Sequence, residues 1–164
     1  MLTSGLTVSC AEAPQTFKYE NKDSQSQSEV LEFARAIWLV EKERDDLIVE
    51  HRDFNKKLMD MPTATVFQKT DDFVKRSGKL KETIVNMEVP GADSTTSVHT
   101  TFMLAYAAEY KAYSEWRTAV LSADLNKLND AIKLFYQADA LFEEAYEAMD
   151  KMLKEFGLKW QDIK

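Results

Sequence analysis

The sequence predicts an all-α fold: an up-down-up-down antiparallel four-helix bundle preceded by a disordered or extended N-terminal tail. Three observations predict it. From Val30 onward, apolar residues recur at spacings of three and four, the signature of one helical stripe. Only four Gly and three Pro occur in 164 residues, too few for the many turns of a sheet protein. Alanine recurs every seven residues at Ala105, Ala112 and Ala119, and again at Ala131, Ala138 and Ala145, on the two sides of a short break.

The length suggests one domain, large enough to bury roughly 70% of the surface its unfolded chain exposes. The first stripe reads Val30, Phe33, Ile37, Val40, Arg44, Leu47, His51, Phe54, Leu58 and Met61, which predicts a helix over about 28–61, stopped by Pro62. At roughly 1.5 Å per residue it would be about 50 Å long and would overhang the others. A weaker stripe, Val66, Thr70, Phe73, Ser77, Leu80, Ile84 and Met87, predicts a second helix over about 64–88. The loop VPGADSTTS follows, and its hydroxyl residues Ser94 to Ser97 are expected to cap a third helix over about 96–122. Asp124 is a natural N-cap for a fourth helix over about 125–156. Gly157 then suits a left-handed ending, with Leu158 folding back onto the helix.

The short connections favour antiparallel neighbours. Folding the third and fourth helices about Leu125 sets Ala119 level with Ala131, Ala112 with Ala138, and Ala105 with Ala145. Such facing ladders allow an interaxial distance near 8 Å, the close end of the usual range.

The chain divides at about residue 27. Residues 28–164 carry the helical pattern, whereas Ala11 to Gln27 is polar, rich in Ser and Gln, and without helical period. Leu6-Thr7-Val8-Ser9-Cys10 resembles the lipobox of the prokaryotic lipoprotein class. The resemblance spans about ten residues. It implies that Cys10 is the lipid attachment point and the mature N-terminus, that Ala11 to Gln27 is a tether, and that residues 1–9 are the truncated end of a leader continuing upstream of Met1. It also implies an extracytoplasmic, membrane-anchored location. The other reading is a plain N-terminal tail on a cytoplasmic protein. No other stretch resembles a specific family.

Composition excludes several classes. The net charge of −7 leaves no basic surface to displace counterions from phosphate, so nucleic acid is not an expected partner. One cysteine rules out an internal disulfide framework or a multi-cysteine zinc site. No apolar run reaches the roughly 18 residues of a transmembrane span. There is no Glu-x-x-His pair, no Cys-x-x-Cys-His, no phosphate-binding glycine loop and no nucleophile elbow. No metal, cofactor or catalytic residue is therefore expected.

Polar residues on the apolar stripes are the site candidates. Arg44 and Glu109 fall near the middles of the first and third helices, which run parallel in this topology. With Asp139 and Ser77 at similar heights, they are expected to form a buried polar layer. Such a layer fixes register, or else forms a small-ligand or ion site; the first is the commoner use. His51 is a lone histidine on an apolar stripe, and His99 lies at a helix end far from it. Tyr106, Tyr110 and Tyr113 form a second stripe beside the alanine ladder. They cover helix seams if buried, and form a partner or ligand surface if exposed together. Three functions fit, the first two being a tethered, non-enzymatic binding or envelope-assembly protein and a cytoplasmic adaptor that oligomerises through Phe54, Leu58 and Met61 of an overhanging first helix. A small-ligand-binding bundle is the third. The partner is an unknown protein or small ligand.

Overall fold

Ser26 opens the first helix with a reciprocal cap: its hydroxyl accepts from Glu29 N at 3.3 Å, and its own N–H donates to the Glu29 carboxylate at 3.1 Å. A computed structural model describes residues 26–164, so Cys10 and the lipobox-like stretch lie outside the described residues. Four long helices follow: α1 (Gln27–Lys57), α2 (Thr63–Val85), α3 (Asp93–Ser122) and α4 (Leu125–Glu155), then a short α5 (Trp160–Ile163). Among the described residues there is no strand, and no helix is long and apolar enough to cross a membrane.

Three boundaries differ from the sequence reading, one of them the end of α2, at Val85 instead of about 88. Helix α1 ends at Lys57 and tightens into a 3-10 turn, Leu58–Asp60, before Pro62 precedes α2. Helix α3 begins earlier, at Asp93. The hydroxyl of Thr95 does not accept a free N–H as a cap would. It donates to the carbonyls of Pro90 and Ala92, at 2.7 and 2.8 Å, and so ties the loop to the first turn. The expected overhang is also absent: α1 has 31 residues, the same as α4 and one more than α3.

Side-chain contacts order the helices. Glu41 meets Tyr106 and Arg44 meets Glu109, each 65 residues apart, and His51 meets Trp116 at the same offset. Contacts therefore climb α1 and α3 together. Between α3 and α4 they run in opposite order: Phe102 touches Tyr146, Tyr106 touches Phe142, and Tyr113 touches Phe135. The order is also opposite between α1 and α2 (Glu50 with Arg76, Phe54 with Phe73) and between α2 and α3 (Asp71 with Arg117, Ile84 with His99).

All six ladder alanines are buried. The core around them is built from large rings and aliphatics, including Phe33, Ile37, Leu47, Phe73, Phe102, Phe142 and Met149. Helix α5 folds back over the start of α1, where Arg35 donates to the Asp162 carbonyl at 2.8 Å and Gln27 to the Phe156 carbonyl at 2.9 Å.

Helices α3 and α4 end alike. Ala123 has φ 51° and Gly157 φ 67°, both left-handed, and in each case the following N–H reaches back five residues, to Ala119 and to Leu153. An L side chain in that region costs about 1–2 kcal/mol, whereas glycine adopts it freely. Ala123→Gly is therefore expected to raise stability by about 0.5–1 kcal/mol, after the extra entropy of the unfolded glycine is subtracted. Gly157→Ala should lower it by about 1 kcal/mol. Urea denaturation of the two variants against the parent checks the opposite signs.

Candidate functional site

Arg44 sits on the core face of α1 because it follows Ile37 by seven residues and precedes Leu47 by three, both of which are buried. Only 6% of it is exposed. Its Nε donates to Glu109 Oε1 at 2.8 Å, and an Nη lies 3.8 Å from Glu41 Oε2. A second Nη reaches Asp139 Oδ1 at 3.5 Å, at the solvent edge, where Asp139 is mostly exposed. The guanidinium carbon lies 3.4 Å from the centre of the Phe142 ring. A desolvated cation on an aromatic face is favourable by about 2 kcal/mol. The sequence-predicted residues Arg44, Glu109 and Asp139 thus come together. Ser77 does not join them. It is buried, but its hydroxyl donates to the Val74 carbonyl of its own helix at 3.0 Å.

Two members of the site, Glu41 and Tyr146, escape the sequence reading. Glu41 is 2% exposed and accepts from the hydroxyls of both Tyr106 and Tyr146, one on each carboxylate oxygen. Those two donors sit on α3 and α4, so a single carboxylate on α1 ties three helices. The signal for Glu41 is its place four residues after Ile37 and three before Arg44, on the same face. Tyr106 also lies at the offset that links Arg44 to Glu109.

Burial raises the Glu41 carboxyl above the ordinary range, and the two tyrosine hydroxyls and Arg44 pull it back. Glu109 is more exposed to the penalty of burial. Desolvation pushes it up to about 7, with Arg44 opposing. Its Oε2 is buried without a hydrogen-bond partner among the described residues. Tyr106 and Tyr146 are held as neutral phenols by burial and by the adjacent Glu41 charge.

The tyrosine stripe is not a surface. Tyr106 and Tyr113 are each 1% exposed, and only Tyr110 is half-buried, under Lys81. The reason is the position of α3. It contacts α1, α2 and α4, so its apolar face is wider than one residue per turn and takes in positions on both sides of the alanine ladder.

His51 also faces rings. Trp116, Tyr113, Phe73 and Phe135 lie with centroids 4.4, 5.0, 5.3 and 5.4 Å from the imidazole. Burial there lowers its pKa to about 4, so the ring is a neutral core group at neutral pH. His99 is apart from it, with Nε2 2.7 Å from the Ile84 carbonyl at the end of α2. Among the described residues no group of three or more His, Cys, Asp or Glu side chains is placed to hold a metal ion.

A second candidate lies at the end of the molecule where α1 passes to α2 and α3 to α4. There a groove of about 440 Å³ is lined by Leu58, Met61, Val66, Phe67, Val120 and Leu128. Met59 (94% exposed), Leu125 (75%) and Phe67 (46%) project at it. Phe54, expected to need a covering partner, is instead buried against Phe73 and Trp116.

Hydrogen bonds from a neutral donor to a buried charge are typically worth about 1.5–3 kcal/mol. Tyr146→Phe should therefore cost about that much in urea denaturation, because it strips one hydroxyl from Glu41. Tyr136→Phe, on an exposed ring of the same helix, is expected to stay within about 0.5 kcal/mol of the parent. Comparison with known proteins matched no family model, no curated protein and no solved structure.

Proposed function

We propose that the protein is a non-enzymatic binding module of a prokaryotic cell envelope, tethered outside the membrane by a lipid on Cys10. In this reading residues 28–164 form an up-down-up-down antiparallel four-helix bundle. An apolar segment of a partner protein docks in the end groove. The observation that carries the reading is the separation of the two ends. The tether joins the bundle at Gln27. The groove begins at Leu58, beyond the far end of a 31-residue helix, about 45 Å away at 1.5 Å per residue. A chain held to a membrane at Gln27 thus presents its exposed apolar groove away from that membrane.

Chemistry supports a protein segment as occupant. The lining is aliphatic and aromatic. Its one acid, Asp124, is spent accepting from the N–H groups of Asn126 and Lys127 at 3.0 and 3.2 Å. The exposed Met59 and the half-buried Met61 can adapt to an incoming apolar side chain. Large apolar side chains gathered on a charged surface mark an interaction site more often than chance exposure. The adaptor reading is less well supported, since Phe54 of α1 is covered from within.

Two measurements test the proposal. Intact mass and fractionation from the native host should give a chain that begins at an acylated Cys10 and enters the detergent phase. A photo-crosslinker at position 125 should form a specific adduct that Met59→Lys abolishes, while a crosslinker at Glu143 forms none. An unmodified Cys10 in the soluble fraction removes the tether, and an adduct indifferent to Met59→Lys removes the groove.

A further inference from the structure

Among the described residues the buried layer holds one cation and two anions. Arg44, Glu41 and Glu109 are 6%, 2% and 2% exposed, so with all three ionised one negative charge is left over inside the protein. Asp139 is too exposed to count in that balance, being 65% open at its side chain. The surplus charge does not sit equally on the two carboxylates. Glu41 has a hydroxyl donor on each oxygen. Glu109 has Arg44 on Oε1 and, among the described residues, no hydrogen-bond partner on Oε2. An unpaired ionised oxygen in the interior is among the costliest groups to bury. Among the neighbouring charges Arg44 opposes this cost through Oε1, while Glu41 and Asp139 add to it. From α1 Glu109 meets Glu41 and Arg44, with Asp45 beyond on the Glu41 side, and from α4 Asp139, while Tyr146 faces Glu41. On its own helix lie Tyr106 and Tyr113. From α2 the cation that acts on the adjacent Tyr113 is Arg76, which is paired with Glu50 at 2.7 Å. A compensating metal has no donor set there among the described residues. The cation that needs no cavity is a proton.

We propose that Glu109 binds a proton at neutral pH, and that this proton, by cancelling the surplus buried charge where α1, α3 and α4 meet, makes the core tighter in mild acid than in mild base. The sign follows from linkage. Between the ordinary carboxyl value of 4.5 and about 7, the folded chain keeps a proton that the unfolded chain has lost. Stability from this group is therefore full below about pH 4.5 and is lost as pH rises through about 7. His51 acts in the opposite sense. Its folded value of about 4 lies below its ordinary 6.5, so its contribution is present above that ordinary value and lost on acidification. The two partly cancel in the parent, and the comparison must isolate Glu109.

The direct experiment is a carbon-13 NMR titration of the side-chain carboxyls in the full chain, assigned through the backbone. The Glu109 carboxyl is expected to titrate between about pH 6 and 8, with the exposed carboxyls well below. Thermal unfolding of Glu109→Gln, which keeps the shape without the charge, reads the coupling. Relative to the parent its folding equilibrium constant should rise about tenfold or more between pH 5 and pH 8. A Glu109 carboxyl that titrates below about pH 5.5 with the rest overturns the proposal, and this reading needs no variant to fold. So does a near-neutral titration that belongs to Glu41, or a Glu109→Gln variant whose difference from the parent is the same at both pH values.

Discussion

One guanidinium has to be kept inside. Arg44 enters the core on a helix face that offers it no water, and moving a charge from water into protein costs several kcal/mol even after relaxation. The interior answers from three directions: Glu109 from α3, the Phe142 ring from α4, and Glu41 from its own helix one turn away. The answers from α3 and α4 each fix a height. Sliding α3 along α1 by one turn would leave Arg44 against apolar side chains and Glu109 without a cation. The aliphatic layers above and below have no such preference, since a leucine packs nearly as well one turn away. The ionic layer therefore adds little net stability and much register.

The second tie works in the same place with different chemistry. Glu41 is bound by two phenolic hydroxyls, from α3 and α4, and both phenols are forced to remain protonated donors by burial and by the carboxylate they face. The hydroxyls come on rings that fill the core themselves, with Tyr106 packed edge-on to Phe142. Polar pairing and ring packing thus specify one arrangement of α1, α3 and α4. Further along the same helices, the cluster of His51, Phe73, Tyr113, Trp116 and Phe135 is held without any charge. Helix α2 contributes Phe73 to that cluster, and its charged side chains bind at the surface, Arg76 to Glu50 and Asp71 to Arg117.

Much of this was legible in the residues, because a charged side chain at a stripe position is an exception that periodicity exposes. Arg44 and Glu109 stood out in that way, and equal depth in parallel helices put them together. Glu41 did not, since the stripe was read one residue per turn and Val40 had already taken the place. A helix with neighbours on two sides buries adjacent positions, here Val40 and Glu41 on α1 and Ala105 and Tyr106 on α3. The same narrow reading leaves open whether Tyr106 and Tyr113 cover helix seams or form a surface; both are buried. Ser77 was misplaced for another reason: a serine inside a helix can satisfy itself on its own backbone, and sequence position does not say which it will do. The end groove was invisible because it arises where four chain segments meet, and no single stretch carries its pattern.

If the Arg44 layer sets register as argued, breaking it on one side must hurt more than removing it whole. The measurement is urea denaturation of Glu109→Ala beside the double variant Arg44→Met/Glu109→Leu. The single change should cost about 3–5 kcal/mol, by removing the buried acceptor 2.8 Å from the guanidinium, while the double change lies within about 1–2 kcal/mol of the parent or above it. A single variant that loses no more than an exposed substitution does, or a double variant that loses more than the single, would contradict the central place given to this pair.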